Sequence, residues 1–121
     1  MGALCVREMT KTRAVAHSGG AFRHGPSLDV DSTHLAIVLA LGRAAELQGR
    51  LARECVARGG KVILVTDHRE EVASDQLLSV HIEPVPEPWD ALTSVLPSQA
   101  LTLALMERLG SSYVRVQTTT E

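Results

Sequence analysis

The chain has 121 residues, 45% apolar and 21% charged, with a formal net charge of -2, which fits one globular domain. That balance offers no basic face to a phosphate backbone, and the three aromatics, Phe22, Trp89 and Tyr113, are too few for a base-stacking platform, so nucleic acid is not expected as a partner. The N-terminus lacks a charged-then-apolar leader, the longest apolar run, Leu35 to Leu41, is too short for a bilayer, and Cys5 and Cys55 have no metal-ligand spacing; a cytoplasmic protein with reduced thiols, no membrane partner and no metal is expected.

Residues 2–10, "GALCVREMT", read as a helix of about two turns, marginal by itself. Residues 13–17, "RAVAH", have the alternation of a short strand. Gly, Pro, Ser and Asp cluster over 18–33, which reads as loop. "HLAIVLAL", 34–41, is a continuous apolar run of strand length, as in a strand buried on both faces of a parallel sheet. In 42–60, Ala44, Leu47, Leu51, Cys55 and Val56 recur at helical spacing, and Gly59-Gly60 supplies the stop. "KVILVTD", 61–67, is a second buried strand. A short helical turn is expected around 70–75, and "LLSVHIEP", 77–84, reads as a third strand. Pro84, Pro86 and Pro88 then block regular structure. Residues 89–109 read as one apolar helix kinked at Pro97. The tail, 110–121, is polar and rich in Thr.

This alternation of strands and helices is that of a parallel α/β sheet, which binds ligands at the carboxyl ends of its strands. A doubly wound domain opens on a strand and a phosphate-cradling loop, and both are expected to lie before Met1. With so few aromatics, the core has to be built from Ala, Val, Leu and Ile.

The residues that carry chemistry stand in the first quarter of the chain. "GALCVRE" places Glu8 on the first helix. Sixteen residues later, "FRHGP" places Arg23 and His24 directly before Gly25-Pro26. "GALCVRE", "FRHGP", "HLAIVLAL", "ARGGKVILVTD" and the closing "TTTE" follow the order of the sugar isomerase (SIS) domain. The chain resembles that family, and more narrowly the C-terminal isomerase half of the glutamine–fructose-6-phosphate aminotransferases. The likeness implies an α/β fold, a parallel-sheet, flavodoxin-like three-layer sandwich. It makes residues 1–121 a partial SIS domain, its C-terminal portion, without the first strand and phosphate loop.

It also implies roles. Glu8 falls where the family moves a proton between C1 and C2 of a hexose phosphate. His24 falls where a histidine assists ring opening and reaches the neighbouring subunit's site, which implies a homodimer. Arg23, Arg115 and Thr118 are the implied substrate contacts, and no cofactor is expected. The chemistry is coherent, since isomerisation needs a base beside a carbonyl and ring opening a group titrating near neutrality. The chain departs from the pattern at Ala21, where the family has an acid, and at Cys5, where it has a lysine. No lysine stands in the tail, where Arg115 is the nearest cation. Cys5 is not N-terminal, so it cannot be a glutaminase nucleophile.

Plainer roles stand beside these. Glu8 could be a solvated helix residue paired with Lys11 at i+3, and His24 a polar turn residue. His17, His34, His68 and His81 read as structural. Asp67 is a cap before "HREE" or a phosphoacceptor, Trp89 an anchor, and Thr118, Thr119 and Thr120 a frayed terminus or phosphate donors. Two other functions stay open: a non-catalytic sugar-phosphate sensor, and an inactive fragment serving in assembly.

Overall fold

The computed structural model describes residues 2–68, 74–86 and 89–109. The chain divides into two units, His17–Ala91 and, separately, Met1–Ala16 with Leu92–Glu121.

The first unit is built on a three-stranded parallel sheet of order β1-β2-β3, with β1 Leu35–Ala40, β2 Lys61–Thr66 and β3 Leu77–His81. The register pairs Leu35 with Lys61 through Ala40 with Thr66, and Val62 with Leu77 through Thr66 with His81. Both long apolar runs expected as strands are strands, but β1 is not buried on both faces, since Leu35 and Leu39 are exposed. β2 is the central one, and Val62, Leu64, Val65 and Thr66 along it are buried. The third strand is shorter than expected. Its ladder closes with Ile82 N–H donating to Thr66 O at 2.9 Å, and prolines without N–H groups follow.

Helix α3, Ala45–Ala57, connects β1 to β2 and packs on both. Ala45, Ala52 and Cys55 on its inner stripe meet Val38, Ala40, Val62, Leu64 and Leu77 of the sheet, with Val30 from the segment before β1. The helix starts later than the periodicity implied because Gly42–Ala44 forms a 3-10 turn. It stops where the glycine pair requires. Gly59 takes φ 92, its N–H reaches Val56 O at 2.9 Å and the Gly60 N–H reaches Cys55 O at 3.0 Å. This is a Schellman cap.

Two expectations fail in this unit and its approach. "RAVAH", 13–17, is not a strand but irregular chain. Arg13, Val15 and His17 are exposed, and alternation without a neighbouring strand has nothing to bond. The stretch 18–33, expected as loop, contains helix α2, Gly19–Arg23, and a 3-10 turn at Pro26–Asp29. The turn expected around 70–75 lies almost wholly outside the described residues; Ser74 itself forms an isolated bridge to Leu77.

In the other unit, α1, Gly2–Thr10, packs against a helix of the 89–109 segment. That segment is not one kinked helix. It forms α4, Asp90–Thr93, and α5, Leu96–Leu109. Pro97 falls in the first turn of α5, where a missing N–H costs nothing, so the proline marks a start and not a kink. Gly2 is required at the contact, since a Cβ there would stand 2.5 Å from Ser98 Oγ. Val6 and Thr10, one and two turns on, are buried with Thr102 of α5. Thr10 and Thr102 satisfy their hydroxyls by donating to Val6 O and Ser98 O, each at 2.7 Å. Among the described residues no helix is long and apolar enough to cross a membrane.

Candidate functional site

His24 stands at the apex of a corner held from both sides. On the N-terminal side, Ser18 caps α2, its Oγ accepting from Ala21 N–H at 3.2 Å. Phe22 packs against the core cluster, and its ring meets that of His17 with centroids 5.7 Å apart. His24 is the C-cap, its N–H donating to Ala21 O at 3.3 Å. Gly25 then takes φ 149, which only glycine adopts without strain, and Pro26 opens the 3-10 turn. On the C-terminal side, Leu28 N–H donates to Gly25 O at 2.8 Å, while Ser27 and Val30 are buried. His24 itself is exposed. The chain thus spends its packing on the residues around the imidazole and leaves the imidazole in solvent.

Arg23, the other basic residue of the turn, is turned to the protein. Its Nη2 donates to Leu47 O at 3.0 Å, and its Nε lies 3.5 Å from Glu54 Oε2. The sequence placed Arg23 among the expected ligand contacts and held no local signal for this engagement, whose partners lie on a helix far along the chain.

Glu8 lies on α1, in the other unit from His24, and is exposed. Among the described residues no ion pair joins it to Arg7 or Lys11. Lys11 instead takes φ 57 as its N–H closes on Arg7 O at 3.0 Å, which turns the chain out of the helical frame that an i+3 pair needs. Arg115 and Thr118, the remaining expected contacts, lie outside the described residues, as do Thr119 and Thr120. Cys5 is half-buried on α1.

At the carboxyl end of the sheet, Asp67 joins two strands. Its Oδ2 accepts from Gly42 N–H at 2.8 Å, tying the end of β2 to the turn after β1, where Gly42 has φ 54. The cap expected of Asp67 before "HREE" falls largely outside the described residues; within them its carboxylate holds the Gly42 turn. Its other oxygen is buried without a hydrogen-bond partner, with His68 Nε2 at 4.0 Å. Among the described residues no cluster of three or more His, Cys, Asp and Glu side chains could hold a metal ion.

A family model of the SIS domain matches residues 1–106. Curated relatives include the isomerizing glutamine–fructose-6-phosphate aminotransferase of Brucella abortus biovar 1 (strain 9-941), 34% identical over 103 residues that make 83% of this chain and 17% of the relative. The enzyme of the same name from Thermus thermophilus is 32% identical over 115 residues, 90% of this chain and 18% of the relative. Among solved structures, the C-terminal domain of glucosamine-fructose-6-phosphate aminotransferase from Francisella tularensis superposes with a TM-score of 0.73 at 26% identity. That match covers 86% of this chain and 30% of the solved one. The chain spans under a fifth of the length of these curated relatives.

Proposed function

The chain belongs to the SIS domain family, and from that premise we propose that it binds a hexose 6-phosphate and contributes to aldose–ketose isomerisation. The observation that carries the reading is the fixed corner at His24, sixteen residues after Glu8, in a chain whose family match runs through both. Glu8 is the base. Its carboxylate takes a proton from C1 of the open-chain ketose and returns it at C2, and the carbonyl moves the opposite way. His24 assists ring opening by exchanging a proton at the ring oxygen, a task suited to a group titrating near neutrality. Its exposure at a rigid apex fits an imidazole offered to the neighbouring subunit of a homodimer. Arg115 and Thr118 supply donors to the phosphate. On this reading the protein works in the cytoplasm.

A second reading, a sugar-phosphate sensor without turnover, is favoured by Cys5 and Ala21, which stand where the family carries charged residues. Proton NMR of fructose 6-phosphate and glucosamine 6-phosphate in D₂O with the purified chain separates the two. Isomerisation puts deuterium at C1 or C2, and Glu8→Gln stops it. Broadened sugar lines without exchange identify a sensor. Unchanged spectra overturn both readings and leave an assembly role.

A further inference from the structure

We propose that Arg23 is a positioning residue, a strap that holds the His24 corner to α3, and not a ligand for the sugar phosphate. The consequence for catalysis rests on the role given to His24 above; the strap does not.

Helix α2 has only five residues, far fewer than an isolated helix needs to persist. Its position therefore comes from what it touches. Phe22 supplies the apolar anchor. Gly19 and Arg23, one turn apart, both meet α3. At Gly19 the approach is so close that a Cβ would overlap the Gln48 side-chain amide. At Arg23 the guanidinium engages Leu47 O at 3.0 Å and Glu54 Oε2 at 3.5 Å, two partners two turns apart on α3. Glu54 can meet it because helical side chains lean toward the N-terminus. A planar guanidinium can serve a carbonyl and a carboxylate together because its donors form a rigid fork; an ammonium is a single point of charge.

His24 follows Arg23 directly, so the direction in which it leaves α2 is set by how firmly Arg23 is held. With Nη2 on Leu47 O and Nε facing Glu54 Oε2, the side-on fork of the guanidinium is already engaged, and a phosphate would meet only its remaining donors. The basic residue of the turn is thus spent on geometry, and the imidazole beside it remains available for chemistry.

Amide hydrogen exchange by NMR on the whole chain tests the strap, with Arg23→Ala and Glu54→Gln compared with the unmodified protein. The expected result is faster exchange at the His24 and Leu28 amides in both variants, by roughly fivefold to tenfold in Arg23→Ala, with Val62 and Leu64 in β2 unchanged. Should Arg23→Ala fail to fold, Glu54→Gln, at an exposed carboxylate, carries the readout. A ligand titration completes the test, with inorganic phosphate and fructose 6-phosphate as probes. A strap leaves the phosphate affinity of both variants within twofold and, where the chain turns sugar over, lowers kcat for deuterium exchange in Arg23→Ala with KM little changed. Unaltered exchange at His24 and Leu28 overturns the proposal. So does phosphate binding lost in Arg23→Ala and retained in Glu54→Gln. If the unmodified chain neither binds nor isomerises sugar, the isomerase reading falls, and the amide rates still decide the strap.

Discussion

Asp31 organises the turn into β1 through one carboxylate oxygen. Oδ1 accepts from the Thr33 hydroxyl at 2.6 Å and the Thr33 N–H at 2.8 Å, and His34 Nδ1 lies 2.9 Å away. These contacts, the Thr33 hydroxyl foremost, lower its pKa from 3.8 to about 2. A depressed carboxylate stabilises the fold in its ionised form, so this contribution is present above 3.8 and is lost as the pH falls through about 2. Removing the largest cause, Thr33→Ala is expected to return the Asp31 titration toward 3.8, read from its side-chain carbonyl shift in an NMR pH series. An unchanged midpoint would mean that the Thr33 N–H and His34 hold the charge without the hydroxyl. Cys55 shows the opposite direction. It is 1% exposed, and burial pushes its thiol above the ordinary value of 9.0. Here the protonated form is favoured in the fold. Its contribution is intact below 9.0 and is lost as the pH rises past it toward the higher folded value. A thiol reagent at neutral pH is therefore expected to label half-buried Cys5 first and Cys55 only on unfolding. Equal labelling rates in the folded protein would show that the α3–sheet core opens far more readily than its packing implies.

At the scale of elements, the C-terminus of α3 is where a residue choice and a backbone geometry coincide. Gly59→Ala forces a Cβ into φ 92 and is expected to cost about 1–2 kcal/mol in urea unfolding. Gly20→Ala is the contrast. It lies in α2 at a negative φ, and a Cβ there meets nothing within 4 Å, so alanine should be neutral or stabilise by a few tenths of a kcal/mol to about 1. Equal losses at both would locate the cost outside the cap. The same two glycines mark what could be read in advance. The α3 stop was legible because a Gly-Gly pair after a helical period has one structural use, and β1 and β2 were legible as unbroken apolar runs of strand length, although β1 leaves Leu35 and Leu39 exposed. Helix α2 was not legible. "GGAFR" has a loop's composition, and its helicity comes from Phe22, Gly19 and Arg23 meeting residues far along the chain. "RAVAH" misled for the converse reason, because a local alternation cannot reveal whether a strand exists to pair with it. Pro97 misled because the same residue ends one helix run or begins another, and the break at Ser94 and Val95 has no Gly or Pro of its own. In the candidate site, the spacing of Glu8 and His24 was readable, whereas the commitment of Arg23 to Leu47 and Glu54 depended on tertiary contacts.

For the whole molecule, the proposed homodimer makes a claim that no single chain can satisfy: His24 of one subunit completes the site that holds Glu8 of the other. Two inactive variants then differ in where they are broken. Glu8→Gln removes the base and leaves His24 to lend, while His24→Ala leaves the base and removes the loan. Mixed in equal amounts after a denaturation and refolding step, half of the dimers pair one of each. Each such dimer has one site with both residues intact and one site with neither. Because a two-fold dimer offers both sites equally, the mixture is expected to recover about a quarter of the unmodified rate of deuterium entry into fructose 6-phosphate, although each variant alone has lost it. Recovery near that fraction requires exchange of His24 between subunits. No recovery, with sedimentation showing a species of twice the 13.0 kDa chain mass, would place His24 and Glu8 in the same chain's site. No recovery with sedimentation at the single-chain mass would remove the dimer, and with it the reason for leaving the imidazole exposed at its corner.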